Sequence, residues 1–273
     1  MRGDYHVHSS YCDGKDTPTD MARRAWELGM ESLGFSGHSF LPFSSSWCMS
    51  PERTKAYIRE VLMLKEEYRG RMPVFLGLEQ DLLSGPVPEG LDYAIGSVHF
   101  VADGTGYGPV DHCREESLRL LRETFGGDRD AFAEEYFGQM CRLPSLGAQI
   151  VGHFDLLTRY DEDGPALFDP DSFRYRKAAL TAVDVLAEAG MIFEINAGAM
   201  VRGRRTVPYP DSRWLVRVRE KGGRILLSGD CHSAATLGDG VRLAAEYALY
   251  CGFRETWVPV GEGNLDPRPL ENE

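Results

Sequence analysis

The sequence alternates short apolar runs with longer amphipathic stretches from its first residues to about residue 250. The apolar runs are rich in Val, Ile, Leu and Phe and are bounded by Gly or Pro, which is typical of buried β-strands. Seven strands are predicted, at Gly3–His8, Ser32–Ser36, Val74–Glu79, Tyr93–His99, Gln149–His153, Met191–Asn196 and Arg224–Gly229.

The stretches between the strands carry apolar residues at helical spacing. In one of them, Ser50 followed by Pro51 indicates an N-cap and a first helical residue. Helices are predicted at Thr19–Leu28, Pro51–Tyr68, Ser117–Phe125, Asp130–Leu143, Asp171–Ala189, Asp211–Lys221 and Ala234–Tyr250. The segment after Val260, rich in Gly, Pro, Asn and Glu, is expected to be a tail.

Seven β-then-α units without a break in composition predict one parallel α/β domain over residues 1–273. A length of 273 residues suits two average domains or one barrel, so the length alone does not distinguish between these two possibilities. A closed or nearly closed barrel of the TIM type fits better than an open doubly wound sheet, because the sequence has no Gly-rich dinucleotide turn.

The charge and composition of the sequence argue against some kinds of binding partner and location. The net charge is -12 and no Lys/Arg run occurs, which argues against nucleic acid, whose binding depends on basic patches. There is no signal peptide and no apolar stretch approaching the roughly 18 residues of a membrane span. The six cysteines form no Cys-x-x-Cys pair, so we expect free thiols in the cytoplasm. The sequence does not indicate an oligomeric state.

Six of the seven histidines stand at or just after the end of a predicted strand. In parallel α/β barrels the carboxyl ends of the strands converge on one face, where catalytic residues lie. A single histidine at a strand end is usually structural, and the seventh, His112, is interpreted as a surface residue. Six such coincidences are better explained by a shared site, formed by His6, His8, His38, His99, His153 and His232.

Three acids also stand at or shortly after the end of a predicted strand, namely Asp13, Glu79 and Asp230. The resulting nine nitrogen and oxygen ligands exceed the needs of one ion, since zinc takes about four and manganese or iron about five or six. Two or three metal ions that share a bridging carboxylate would use them all, and Glu79 is the expected bridge. His6 and His8 lie on one face of a strand and can chelate one ion.

The ordered motifs resemble those of the PHP (polymerase and histidinol phosphatase) superfamily, and within it the histidinol-phosphate phosphatases. The motifs are His6-x-His8-Ser9 with Asp13-Gly14, Gly37-His38, Gly77-Leu78-Glu79, Gly96-Ser97-Val98-His99 followed by Phe100 and Asp111, Gly152-His153, Glu194-Ile195-Asn196 followed by Arg202, Tyr209-Pro210, and Ser228-Gly229-Asp230-x-His232.

The resemblance implies a distorted (β/α)7 TIM-like barrel with three divalent metal ions, zinc, manganese or iron. One ion would be held by His6, His8, Glu79 and Asp230, a second by Glu79, His99 and His153, and a third by Asp13, His38 and His232. The segment after Asn196 is looser than the usual pattern of the group, which leaves open whether Arg202, Arg204 or Arg205 is the equivalent arginine.

The resemblance also implies an activity in histidine biosynthesis, the hydrolysis of L-histidinol phosphate by a metal-bridging hydroxide. The expected catalytic residues are Glu79, Asp230, Arg159 and Arg202, and the expected substrate contacts are Arg159, Arg202, Phe100 and Tyr160. Both arginines would bind phosphate oxygens. Phe40 and Trp47 are further aromatic residues on loops at the barrel mouth, and Asp155 and Asp161 are candidates for protonating the leaving group.

Three other functions remain open. A PHP-type phosphoesterase could act on another phosphomonoester or on nucleotides. A non-catalytic metal-binding module would be expected to carry degraded ligand positions, yet all nine positions hold competent ligands. An amidohydrolase usually needs a ligating lysine at a strand end, and none is evident.

Overall fold

The protein is described by a computed structural model that covers residues 3–43, 47–104 and 106–270. In these residues the chain forms ten strands: β1 (Leu33–Phe35), β2 (Val74–Asp81), β3 (Tyr93–Ser97), β4 (Phe100–Ala102), β5 (Tyr107–Pro109), β6 (Ile150–Val151), β7 (Ile192–Asn196), β8 (Arg224–Ser228), β9 (Glu255–Gly261) and β10 (Asn264–Pro269). Six of them form one parallel sheet in the order β1-β2-β3-β6-β7-β8. Neighbours in sequence are therefore neighbours in the sheet, as consecutive β–α units require.

The first predicted strand completes the barrel as an irregular segment, residues 4–8. A parallel bridge joins Asp4 to Leu33 of β1, and another joins Val7 to Cys231, just after β8. This segment therefore connects the two edges of the six-stranded sheet. The predicted (β/α)7 TIM-like architecture is confirmed, with one of its seven strands reduced to isolated bridges.

The helices of the described residues are α1 (Pro18–Glu27), α2 (Pro51–Glu67), α3 (Arg114–Glu123), α4 (Arg129–Met140), α5 (Phe173–Glu188), α6 (Gly198–Val201), α7 (Ser212–Glu220) and α8 (Asp239–Tyr250). The predicted N-cap is present, because the Ser50 side chain accepts a hydrogen bond from the Arg53 amide at 3.2 Å. The last helix starts later than predicted, since Gly238 precedes it with a φ of 89°. None of the described helices is long and apolar enough to cross a membrane.

The lower half of the barrel interior is apolar. Gly34 and Gly77 make room there for the ring of Tyr93, because a Cβ at Gly77 would lie 2.5 Å from that ring. The Tyr93 hydroxyl donates a hydrogen bond to the Tyr5 carbonyl at 2.6 Å and so ties β3 to the irregular first segment. The floor consists of Tyr5, Phe75, Tyr93, Ile95, Ile150, Ile192 and Leu226.

The prediction of a C-terminal tail after Val260 is wrong. Strands β9 and β10 form an antiparallel hairpin that packs Trp257, Val258 and Leu265 against the apolar floor. The Gly, Pro, Asn and Glu residues after Val260, among them Pro267 and Pro269, suggested an irregular segment. A two-stranded hairpin tolerates proline because many of its amides face away from the partner strand. The hairpin closes the end of the barrel opposite the polar residues.

Candidate metal centre

The polar residues of the barrel interior lie above the apolar floor, at the carboxyl ends of the strands. Side chains two residues apart share a face of a strand, so the inward positions of β2 run from Phe75 to Glu79. Those of β7 likewise run from Ile192 to Glu194. The nine residues predicted from strand ends all lie in this layer or at its rim, and we call them the nine-residue cluster: His6, His8, Asp13, His38, Glu79, His99, His153, Asp230 and His232.

Glu79 occupies the centre of the nine-residue cluster. Its Oε1 lies 2.8 Å from His153 Nε2 and 3.3 Å from His99 Nε2. Its Oε2 lies 2.8 Å from His38 Nδ1 and 3.2 Å from His6 Nε2. Each carboxylate oxygen thus faces a different pair of histidines, which is the arrangement that a bridging carboxylate needs.

The other two acids of the nine-residue cluster also lie close to its histidines. Asp13 Oδ2 lies 3.2 Å from His232 Nε2, and Asp230 Oδ1 lies 3.3 Å from His8 Nε2. Three compact groups could each hold an ion: His8, Asp13, His38 and His232; His6, His8 and Glu79; His38, Glu79 and His99. These groups overlap more than the ligand sets implied by the family resemblance, because two histidines belong to two groups each.

The donor atoms fit divalent metal ions. His6 Nε2, His8 Nε2 and Glu79 Oε2 are buried and make no hydrogen bond, although they face one another. Unpaired buried polar atoms are costly, and most native proteins avoid them. Imidazole and carboxylate donors that converge in this way are typical ligands of zinc, manganese and iron.

The electrostatics of the nine-residue cluster also favour bound cations. Burial lowers the pKa of His6, but the carboxylates of Glu194 and Glu79 outweigh burial and hold that pKa well above its usual value. Burial also lowers the pKa of His38, but neighbouring carboxylates outweigh burial and hold that pKa well above its usual value. Burial and two neighbouring imidazoles instead lower the pKa of His8 to about 3. The carboxylates thus attract positive charge, which metal ions would supply while displacing protons.

Glu194 is a supporting residue to which the sequence assigned no role. Its Oε1 lies 2.5 Å from His6 Nδ1. The same oxygen accepts a hydrogen bond from the Ser228 hydroxyl at 2.6 Å. Its Oε2 accepts from the His153 amide at 2.7 Å. Glu194 therefore fixes the ring of one candidate ligand and the backbone of another. An acid within the otherwise apolar run of β7 was the signal available in the sequence.

Asp81 and Asp4 support neighbouring residues in the same way. Asp81 Oδ2 lies 3.0 Å from His99 Nδ1, on the side of the ring away from Glu79. Asp4 accepts hydrogen bonds from the amides of Gly229 and His6, and its burial raises its pKa to about 7. An acceptor on the outer ring nitrogen, as Asp81 is for His99, orients a metal-binding imidazole and raises its basicity, whereas Asp4 holds only backbone amides.

Asp230 is held in an uncommon backbone conformation. Its φ is 46°, in the left-handed region that non-glycine residues rarely adopt. Gly198 leaves the space that this requires, because a Cβ there would lie 2.7 Å from the Asp230 Cβ. Arg202 donates to the Asp230 carbonyl at 2.8 Å and to its carboxylate at 3.0 Å. Local strain of this kind is frequent at functional sites.

Of the three arginines left open by the sequence, Arg202 lies at the site. It lines the pocket above the nine-residue cluster. Arg205 is buried elsewhere and donates to the Thr158 carbonyl at 2.8 Å, while Arg204 is exposed. Arg205 thus supports the turn that carries Arg159.

A pocket of about 630 Å³ opens directly above the nine-residue cluster. Arg159, Phe100 and Trp47 line it, and the Trp47 ring lies edge-on to His38 at 4.5 Å between centroids. His112, predicted to be a surface residue, is exposed at the rim. The volume suits a small molecule.

Several predicted residues lie outside this pocket. Tyr160, predicted to contact substrate, is buried, and its hydroxyl donates to the Asp111 carbonyl at 2.7 Å. Asp155 is buried and accepts from the Asp211 amide, and Asp161 accepts from the Leu167 amide. Phe40 is exposed and does not line the pocket. The placement of these side chains therefore favours none of them as a substrate contact or proton donor.

The family model of the PHP domain matches residues 4–198. The chain belongs to the PHP domain family. It is 30% identical to a probable histidinol-phosphatase of Deinococcus radiodurans over 86% of this chain and 88% of the relative. It is 26% identical to the histidinol-phosphatase of Bacillus subtilis over 87% of this chain and 96% of the relative. The resemblance found in the sequence is confirmed, and the protein is a phosphatase.

The fold has a solved counterpart. The histidinol phosphate phosphatase of Lactococcus lactis, a structure with zinc, L-histidinol and phosphate, superposes with a TM-score of 0.71 at 19% identity. The match covers 97% of this chain and 100% of that one. It supports the PHP barrel over nearly the whole length of the protein. The convergent donor set of the nine-residue cluster is itself suited to divalent metal ions.

Proposed function

We propose that this PHP domain protein hydrolyses L-histidinol phosphate to L-histidinol and inorganic phosphate. The observation that carries the proposal is the position of Glu79, between two pairs of histidines and beneath a pocket lined by two arginines. The curated relatives that share most of its length are histidinol-phosphatases, and the relative from Lactococcus lactis was solved with both reaction products.

We further propose that the nine-residue cluster holds three ions of zinc, manganese or iron. Bound divalent ions supply Lewis acidity and lower the pKa of water, which phosphate-ester hydrolysis needs because the uncatalysed reaction is among the slowest known. The chain supplies the ligands and keeps them oriented. Glu194 and Asp81 accept from the outer nitrogens of His6 and His99, so that the inner nitrogens face Glu79.

The other residues of the pocket bind and position the substrate. Arg159 and Arg202 present guanidinium groups that can make paired hydrogen bonds to phosphate oxygens. Phe100 and Trp47 form an apolar wall that covers the imidazole end of the substrate and excludes water from it. Asp230, fixed by Arg202, is kept at the boundary between the metal ligands and the phosphate.

The test measures metal content and turnover on the same preparation. Chelator-treated protein should lose activity on L-histidinol phosphate and regain it when zinc, manganese or iron is restored, in step with bound metal per chain. Full activity after complete metal removal would end the proposal. Parallel assays with nucleotides and short DNA test the alternative substrates, and faster turnover of a nucleotide would replace histidinol phosphate as the substrate.

A further inference from the structure

A second cavity lies at the end of the barrel opposite the nine-residue cluster, and we call it the floor cavity. Its volume is about 400 Å³, and it lies between the hairpin of β9 and β10 and the lower edge of the barrel. Tyr5 and Phe75 of the apolar floor form part of its lining, so the floor separates it from the nine-residue cluster. A cavity of this volume suits a small molecule.

The interior of the floor cavity is mostly apolar. Phe75 and Leu227 line it from the barrel, and Val258 lines it from the hairpin. Two hydroxyl groups also belong to the lining, those of Tyr5 and Ser32, and they form a hydrogen bond with each other at 2.7 Å. Burying a polar group without a partner is costly, so the interior favours an apolar group of a ligand.

Two side chains of opposite charge stand at the mouth of the floor cavity. Glu31 precedes β1 and Arg268 lies on β10, and both are exposed. Within the described part of the chain neither forms an ion pair, and Arg268 donates to the carbonyl of its neighbour Pro267 at 3.1 Å. Burial raises the pKa of Tyr5 to about 12; Glu31 acts in the same direction and Arg268 opposes it, as expected if both charges lie near this hydroxyl.

An apolar interior below one acid and one base matches the chemistry of a free α-amino acid with an apolar side chain. Such a molecule carries its ammonium group and its carboxylate on one carbon, and its side chain extends away from both. The ammonium group would face Glu31, the carboxylate would face Arg268, and the side chain would enter the apolar interior. A fatty acid or an alkylamine would use only one of the two charges.

We propose that the floor cavity binds a small zwitterion, a free α-amino acid with an apolar side chain. The inference goes beyond the proposed function and does not depend on it, because none of the described residues that line the floor cavity also lines the pocket above the nine-residue cluster. Burial of the apolar side chain supplies most of the affinity. Each contact with an exposed charge changes the Kd by about 3- to 5-fold.

The test measures the binding of four probes to the zinc-loaded, full-length protein by ligand-observed NMR titration. The probes are L-phenylalanine, 3-phenylpropionate, which lacks the amine, 2-phenylethylamine, which lacks the carboxylate, and glycine, which lacks the side chain. We expect L-phenylalanine to bind about 3- to 5-fold more tightly than either analogue with a single charge. Glycine should not bind detectably, because it has no group for the apolar interior.

Two substitutions at the mouth test the two charges separately. Arg268→Gln should weaken the binding of L-phenylalanine and 3-phenylpropionate by about 3- to 5-fold and leave that of 2-phenylethylamine unchanged. Glu31→Gln should weaken the binding of L-phenylalanine and 2-phenylethylamine by the same factor and leave that of 3-phenylpropionate unchanged. The matched controls are Arg69→Gln and Glu188→Gln, at exposed residues outside the floor cavity. Both should bind every probe as the wild type does.

Saturating inorganic phosphate, added to fill the pocket above the nine-residue cluster, should not displace L-phenylalanine. Displacement would place the amino acid in that pocket and overturn the proposal. Failure of L-phenylalanine to bind the wild type, or affinities unaltered in both mouth variants, would overturn it as well. Equal affinities for L-phenylalanine and 3-phenylpropionate, with no effect of Glu31→Gln, would show a site for anions instead. Binding that occurs only in Arg2→Gly would show that the start of the chain, and not a ligand, fills the floor cavity.

Discussion

Replacing Glu194 with glutamine should weaken metal binding although Glu194 is not among the expected ligands. Its two oxygens face four donors: His6 Nδ1, the Ser228 hydroxyl, the His153 amide and the Asn196 side-chain amide. A glutamine has one oxygen and one NH₂ group, so whichever way it turns, two of these donors face another donor. When the NH₂ group faces His6, the ring shifts its proton to Nε2, the nitrogen that points at Glu79.

The size of the effect follows from the hydrogen bonds that the glutamine cannot accept. Mutation of such an orienting residue typically lowers metal affinity or activity by about 10- to 100-fold. Each buried donor left unsatisfied costs about 1–3 kcal/mol, so the two together should lower the free energy of unfolding of the metal-free protein by about 2–6 kcal/mol.

The assay titrates metal-free protein with zinc against a competing chelator, and urea unfolding measures stability. The control is Glu188→Gln, an identical substitution at an exposed residue on α5. It should leave zinc affinity unchanged and shift stability by less than about 0.5 kcal/mol. Wild-type zinc affinity in a folded Glu194→Gln protein would refute the reasoning that Glu194 sets the tautomer of His6.

Three further outcomes are expected. Glu79→Ala should abolish activity and reduce bound metal per chain, because the oxygens shared by four histidines are removed; retention of normal metal content and turnover would show that the bridge is elsewhere. Gly198→Ala should lower both kcat and stability, the latter by about 1–3 kcal/mol in urea unfolding, since its Cβ would meet Asp230. Burial raises the pKa of Asp161 to about 6, so its ionised form is disfavoured in the folded state. The ionisation of Asp161 should therefore reduce stability as the pH rises from about 4 to 6. Relative to the wild type, the free energy of unfolding of Asp161→Asn, which still accepts from Leu167, should be about 1–2 kcal/mol higher at pH 7 than at pH 4; parallel urea curves of the two proteins at both pH values would detect the difference.

The barrel and the nine-residue cluster could be predicted because both depend on rules that act along the chain. Neighbouring parallel strands are held in register by their hydrogen bonds, as in the pairing of Glu79 with Ile95. A residue at the end of one strand is therefore brought to the end of the next, whatever the loops do. Strand ends are visible in the sequence as the point where an apolar run stops.

Features that depend on how loops and side chains cover one another could not be predicted in the same way. Tyr160 follows β6 closely enough to suggest a position in the pocket, but its ring is buried and only its hydroxyl reaches Asp111. The hairpin of β9 and β10 was hidden by its prolines and becomes stable only against the apolar floor. In both cases the decisive contact is with residues distant in sequence.

The assignment of roles among the buried acids lies beyond strand periodicity altogether. Glu79 and Asp81 are two residues apart on β2 and face the same side, so the sequence treats them alike. In the structure the roles of these two acids differ, because Glu79 faces Nε2 of His99 and Asp81 faces Nδ1 of the same ring. A neutral histidine can present one nitrogen to a metal only while the other carries the proton. Buried ligand histidines therefore require acceptors of their own, and a barrel that holds several of them contains more buried acids than its metals require.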